Sequence, residues 1–168
     1  PTGGWNDRDA LANMPQLDAK SLKNWFPTTT DCVLRGGSAA HCTGVTGTVN
    51  TLAVYNQKTG TNKMFAADAN DVWDVSSAGA ASAQSATVTD GKFQYINFGD
   101  GTSDWLIMVN GVDKPLYYDG STWTSVDAVS TPAITGMTST DIIGINEYKG
   151  RVYFIEKNSL SFWYASAG

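Results

Sequence analysis

Leu106-Ile-Met-Val109 puts four apolar side chains in a row inside Trp105 to Val126, WLIMVNGVDKPLYYDGSTWTSV, a stretch otherwise cut into short pieces by turn residues. Successive side chains of a strand point to opposite faces, so a strand with no polar side has to be covered on both. Asn110-Gly111 marks the turn that ends the run, Pro115 to Tyr118 supplies a second run, and Asp119-Gly120 offers the positive-φ positions of a tight hairpin before Ser121 to Val126. The stretch reads as a small antiparallel meander. Sheets stacked on sheets would give its first strand the cover it needs.

The same unit recurs on both sides. Upstream, Thr51 to Asn56, Lys63 to Ala67 and Val72 to Val75 are separated by the turns Lys58-Thr59-Gly60 and Asp68 to Asp71. In the middle copy, Phe93 to Phe98 and a Gly99-Asp100-Gly101 turn precede the stretch above. Downstream, Ile142 to Asn146, Arg151 to Ile155 and Leu160 to Tyr164 are joined by Lys149-Gly150 and Lys157-Asn158-Ser159. Phe65, Ile107 and Tyr153 hold equivalent places, roughly 42 and 46 residues apart, a spacing within the range of β-propeller blades. The expected fold is all-β, with β-propeller-like antiparallel blades at about 48–90, 91–130 and 140–168 and an extended N-terminal arm over 1–47.

Three copies do not close a ring of four to eight blades. The chain stops at Ala165-Ser-Ala-Gly168, directly after an aromatic strand and with no capping element. The expectation is therefore a fragment, or the ordered part, of a larger propeller; the alternative is a complete domain with an open or sandwich-like sheet.

With 11 basic against 16 acidic groups, a formal net charge of −5, the chain is poorly suited to gripping nucleic acid through phosphate contacts. An acidic wall could still line a path for DNA, repelling the polyanion and leaving it free to slide. No run approaches the ~18 apolar residues of a membrane helix, and PTGGWNDRD lacks the basic-then-apolar pattern of a secretion signal.

In the arm, Asp9 to Met14 is expected to form one helical turn ended by Pro15, and Pro15 to Asn24 a short helix with Pro15 at its first position. Asn24-Trp25-Phe26-Pro27 is an aromatic anchor, read as core packing in preference to a ligand-stacking site. Cys32 to Arg35 is a short strand entering Gly36-Gly37. Ser76 to Ala86, almost entirely Ser, Ala, Gly and Gln, reads as a loop with a weak edge strand at Ala86 to Thr89, and Asp127 to Thr140 as a second connection interrupted by Pro132.

The order Gly3-Gly4, then Asn24-Trp25-Phe26-Pro27, then Leu34-Arg35-Gly36-Gly37 leading into propeller-like strands resembles the opening of tail hub and nozzle (tail tubular) proteins of short-tailed bacteriophages. The segments SLKNWFP and KNSLSFWY add to that resemblance. It implies a structural virion protein of the phage tail that is not an enzyme: a homo-oligomeric ring, six-fold in this family, below the portal and adaptor. Its channel would conduct the genome during ejection, with adaptor and tail-fibre proteins as neighbours and DNA in transient, non-specific passage. The shortness of this chain, and its lack of the family's platform and tip segments, are departures from the family.

Few residues offer chemistry. His41 is the only histidine, and with Cys32 and Cys42 it lacks the paired C-x-x-C spacing of a zinc site, so no metal or cofactor is expected. A hairpin at Gly36-Gly37 could pair Cys32 with Cys42; two free thiols are the other reading. Asp68, Asn70 and Asp71 resemble part of a calcium loop without its glycine and distal glutamate, and Asp100 to Trp105 resembles the Asp-box turns of some propellers. Both are read as structural turns, and no catalytic, cofactor-binding or metal residue is assigned. Tyr117, Tyr118, Trp123, Trp163 and Tyr164 fit a sugar-binding platform or inter-blade packing, with packing preferred. The function of the other class is accordingly a carbohydrate-binding or glycan-processing β-propeller domain.

Overall fold

The computed structural model describes residues 2–84 and 86–165. Pro1, Ser85 within the Ser/Ala-rich stretch, and residues 166–168, on which the expectation about an uncapped end rests, lie outside the described residues. The chain divides into two compact units, Pro1–Ala40 and His41–Gly168. Both are built from strands, and among the described residues the only helical element is one 3-10 turn, Ser139–Asp141. None of the sheets closes on itself. No helix is long and apolar enough to cross a membrane.

The first unit holds β1 (Gly4–Trp5), β2 (Asp18–Ala19), β3 (Trp25–Pro27) and β4 (Cys32–Leu34). β1 and β2 pair in parallel, and β3 and β4 form an antiparallel hairpin. The helices expected within residues 9–24 do not form. Residues 17–19 are drawn into an extended pair instead: Asn6 Nδ2 donates to Asp18 Oδ2 at 2.7 Å and the Asn6 backbone N–H donates to Ala19 O at 2.9 Å. Those bonds, with Gly3 N donating to Leu17 O at 2.8 Å, spend on an extended pair the groups a helix would use. Trp25 and Phe26, expected in a core, are 46% and 60% exposed, because a three-residue hairpin leaves nothing to bury them against.

The second unit begins with β5 (Cys42–Thr43), followed by β6 (Thr51–Tyr55), β7 (Lys63–Ala67), β8 (Val72–Asp74), β9 (Gly79–Ala80) and β10 (Ser82–Ala83). Next come β11 (Gln94–Gly99), β12 (Asp104–Val109), β13 (Leu116–Tyr118) and β14 (Trp123–Ser125), then β15 (Ile142–Tyr148), β16 (Arg151–Glu156) and β17 (Phe162–Tyr164). They assemble as three antiparallel sheets in chain order: β6-β7-β8-β10, β11-β12-β13-β14 and β15-β16-β17. β9 pairs instead in parallel with β5, which ties residues 42–43 to the first sheet's connection. The Ser/Ala-rich stretch read as a loop thus contributes two short strands, since ladder bonds need no side-chain bulk. The edge strand expected at 86–89 is absent, Ala86 and Val88 being buried in the core instead.

Alternation sets the layers. Leu106 and Met108 of β12 face the first sheet and join Ala53, Tyr55, Phe65 and Tyr118 in one core. Ile107 and Val109 face the other way and join Ile142, Ile145, Val152 and Phe154 in a second. The four apolar residues are therefore covered on both faces, as their lack of a polar side required. Phe65, Ile107 and Tyr153 each lie mid-strand and are flanked on both sides, by Ala53 and Asp74, Ile96 and Tyr117, and Asn146 and Tyr164 respectively.

Polar bonds lock the first two sheets together. Asn97 donates to Val54 O at 2.8 Å and accepts the Asn56 amide, while the Tyr55 hydroxyl donates to Asp104 O at 3.1 Å. Phe65 meets Tyr118 and Trp123 edge-on at 4.9 and 5.0 Å between ring centroids. Phe65→Ala is expected to destabilise the second unit by about 3–5 kcal/mol, whereas Leu52→Ala, at a 57% exposed residue of the same sheet, is expected to change stability by less than about 0.5 kcal/mol. Urea denaturation midpoints of the two variants check this, and equal shifts would contradict a core between the first two sheets.

Candidate functional site

Of the three residues singled out for metal or thiol chemistry, His41 and Cys42 are bonded to the backbone. The His41 ring Nε2 lies 2.9 Å from Val75 O, and Cys42 Sγ donates to Ser77 O at 3.2 Å, so both secure residues 41–43 beside β9. Both cysteines are free thiols, Cys32 belonging to the β3–β4 hairpin of the first unit. Among the described residues no group of three or more His, Cys, Asp or Glu side chains is placed to hold a metal.

The acidic turns have a common construction. Asp68 Oδ1 accepts the amides of Asn70 and Asp71 at 2.7 and 2.8 Å, and its Oδ2 accepts the Gly47 amide and the Trp73 indole N–H. Asp100 Oδ1 accepts the amides of Thr102 and Ser103, with Oδ2 3.4 Å from Trp105 Nε1, and Asp119 Oδ1 accepts those of Ser121 and Thr122. Burial pulls the Asp68 carboxyl up, but the amides of Asp71, Asn70 and Gly47 and the Trp73 indole outweigh it and hold the group below the usual carboxylate range. The Ser103 and Thr102 amides hold Asp100 low in the same way.

The repeat extends to residues that spacing alone did not mark. Three positions after Phe65, Ile107 and Tyr153 stand Asp68, Asn110 and Glu156. Asn110 Oδ1 accepts the amides of Val112 and Asp113, the same two-on and three-on pattern as Asp68. Glu156 Oε2 accepts the Trp163 indole N–H at 3.1 Å, as Asp68 does that of Trp73. Aligning the copies on their mid-strand residues was the available signal.

The five aromatic residues weighed as a platform do not share one surface. Tyr118 and Trp123 pack in the first core, their rings 4.9 Å apart. Tyr117 and Trp163 turn the other way and, with Phe98, Trp105 and the edge of Tyr164, line a cavity of about 540 Å³ between the second and third sheets. Residues 132–137, with Ile134 and Met137, cover it. This cover is pinned at its base by Asp127, whose Oδ1 accepts the Val129 and Ser130 amides, whose Oδ2 pairs with Lys114 at 2.8 Å and whose carbonyl accepts Ile134 N–H at 2.8 Å.

Within the cavity the polar groups are few. The Trp163 N–H is taken by Glu156 and that of Trp105 points to Asp100. Burial pushes the Tyr117 phenol up to about 12, so it stays a neutral donor. Among the described residues its hydroxyl makes no hydrogen bond, yet it is not sealed from solvent. Asp100 is the one carboxylate among the described residues lining the cavity, so the pair of acids that glycoside cleavage uses is not assembled there. Such walls suit binding an apolar ring. Searched against protein-family models, curated proteins and solved structures, the chain matches none.

Because the folded Asp68 carboxyl lies below its unfolded value, its contribution to stability is present above about pH 5 and fades as pH falls through the unfolded and then the folded pKa. Asp68→Asn, which turns an amide toward the Gly47 and Trp73 donors, is expected to cost about 1.5–3 kcal/mol at pH 7. The gap from the native chain should narrow below about pH 4. Denaturation at pH 7 and pH 3 measures it, and a gap that does not change with pH would contradict an ionised, amide-held Asp68.

Proposed function

We propose that this chain is part of a ring-forming structural subunit of a short-tailed phage tail, a hub or nozzle protein whose three sheets are blades of a β-propeller. The carrying observation is the serial stacking of three alike meanders, each placing its mid-strand residue in the same register. Support also comes from what the side chains are used for: the acids are turn locks, and the histidine is tied to a carbonyl.

In this reading the subunits form a homo-oligomeric, six-fold ring below the portal and adaptor, in contact with tail-fibre proteins, and the virion is where the protein resides. DNA passes through the ring without being gripped, and a net charge of −5 suits that task, since an acidic wall gives phosphates no site at which to stop. Exposed points outside the strand ladders, such as Val129, are where neighbouring subunits would meet.

Averaged electron microscopy of the native particles tests the proposal. The expected result is a closed ring at the tail with a central opening wide enough for a duplex of roughly 20 Å. Isolated monomers with no particle association would overturn it.

A further inference from the structure

We propose that the cavity between the second and third sheets is a binding site for a small, neutral, apolar ring compound carrying a single hydrogen-bond acceptor. The site lies within one chain and does not depend on ring assembly, so it stands or falls separately from the virion reading.

Three observations carry the assignment. The first is shape held open: the cavity of about 540 Å³ is within the size range of small-molecule sites, and its cover is fixed from outside. Asp127 and Lys114 anchor the cover's base, and Gly136 rests on Trp163, where an added Cβ would stand 3.4 Å from the indole ring. Trp163 is in turn held by Glu156, and Trp105 meets Tyr117 at 6.3 Å and 61°. Walls fixed in this way do not have to be ordered when a ligand arrives.

The second is composition. The aromatic faces of Phe98, Trp105, Tyr117 and Trp163 favour a flat ring. A sugar carries a hydroxyl on nearly every carbon, and few of those would find a partner, because both indole N–H groups are already engaged. The third is the unpartnered Tyr117 hydroxyl, a neutral donor that one acceptor on the ring would satisfy. Asp100, an exposed carboxylate also lining the cavity and held ionised by its turn amides, repels an anionic acceptor and selects a neutral one.

Acetophenone has the required ring and acceptor, toluene lacks the acceptor, benzoate adds a charge, and methyl glucoside represents a sugar. Titrated into the full 168-residue chain and followed by the indole N–H resonances of an ¹⁵N spectrum, acetophenone is expected to shift Trp105 and Trp163 and leave Trp73, bonded to Asp68 in the first sheet, unmoved. Toluene and benzoate should bind more weakly. Tyr117→Phe, which removes only a hydroxyl with no partner in the fold, should keep the native melting temperature. It should weaken acetophenone about 3- to 10-fold while leaving toluene unchanged. Absence of shifts with acetophenone, benzoate binding as tightly, preference for methyl glucoside, or equal acetophenone affinity in Tyr117→Phe would each overturn the proposal.

Discussion

Burial of β12 on both faces is the constraint on which the rest of the second unit depends. Leu106 and Met108 need apolar cover on one side, and Ile107 and Val109 on the other. A single sheet with one wet face cannot provide both, so the chain supplies a sheet before and a sheet after. The two cores share no residue, and the middle sheet is the partition between them. The cavity follows from this layering: between the second and third sheets, aromatic residues of β12, β13 and β17 line a space that residues 132–137 cover without filling.

Short strands joined by tight turns leave many amides that no ladder partner can take, and the chain answers with carboxylates and carboxamides at fixed offsets. Asp68, Asp100, Asn110, Asp119 and Asp127 each accept the amides two and three residues on. In Asp68 and Asp100 a second task is added, an indole N–H taken five residues later, and Glu156 takes an indole N–H seven residues later. Acids that a motif search would offer as metal ligands or catalysts are consumed in this way by the backbone, and in Asp68, Asp100 and Asp119 turn amides outweigh burial and hold the carboxyl low, which is a mark of structure and not of reactivity.

Much of the layered unit could be read from the chain because alternation and turn chemistry are local. The strands around Phe65, Ile107 and Tyr153 and the turns at Asn110-Gly111 and Asp119-Gly120 are where period and turn residues place them. What escaped was set by partners distant in sequence. Nothing in residues 15–24 announces that Asn6 draws Asp18 and Ala19 into a strand, and nothing in Gly79-Ala80 announces the parallel partner Cys42-Thr43. The cavity was half visible: Tyr117 and Trp163 were singled out as aromatic, but period two also separates Tyr118 and Trp123 to the opposite face, and the unpaired Tyr117 hydroxyl exists only in three dimensions.

The separation of the two cores also determines how the unit comes apart. The first and third sheets have no core residue in common, and each core joins one of them to side chains of the middle sheet. Stability in such a stack behaves as a sum of nearest-neighbour terms. Damage at either end is confined to one interface, and the remaining pair of sheets can persist as a cooperative block. Damage at β12 removes both couplings at once, making a six-residue strand the point at which a local defect becomes global unfolding.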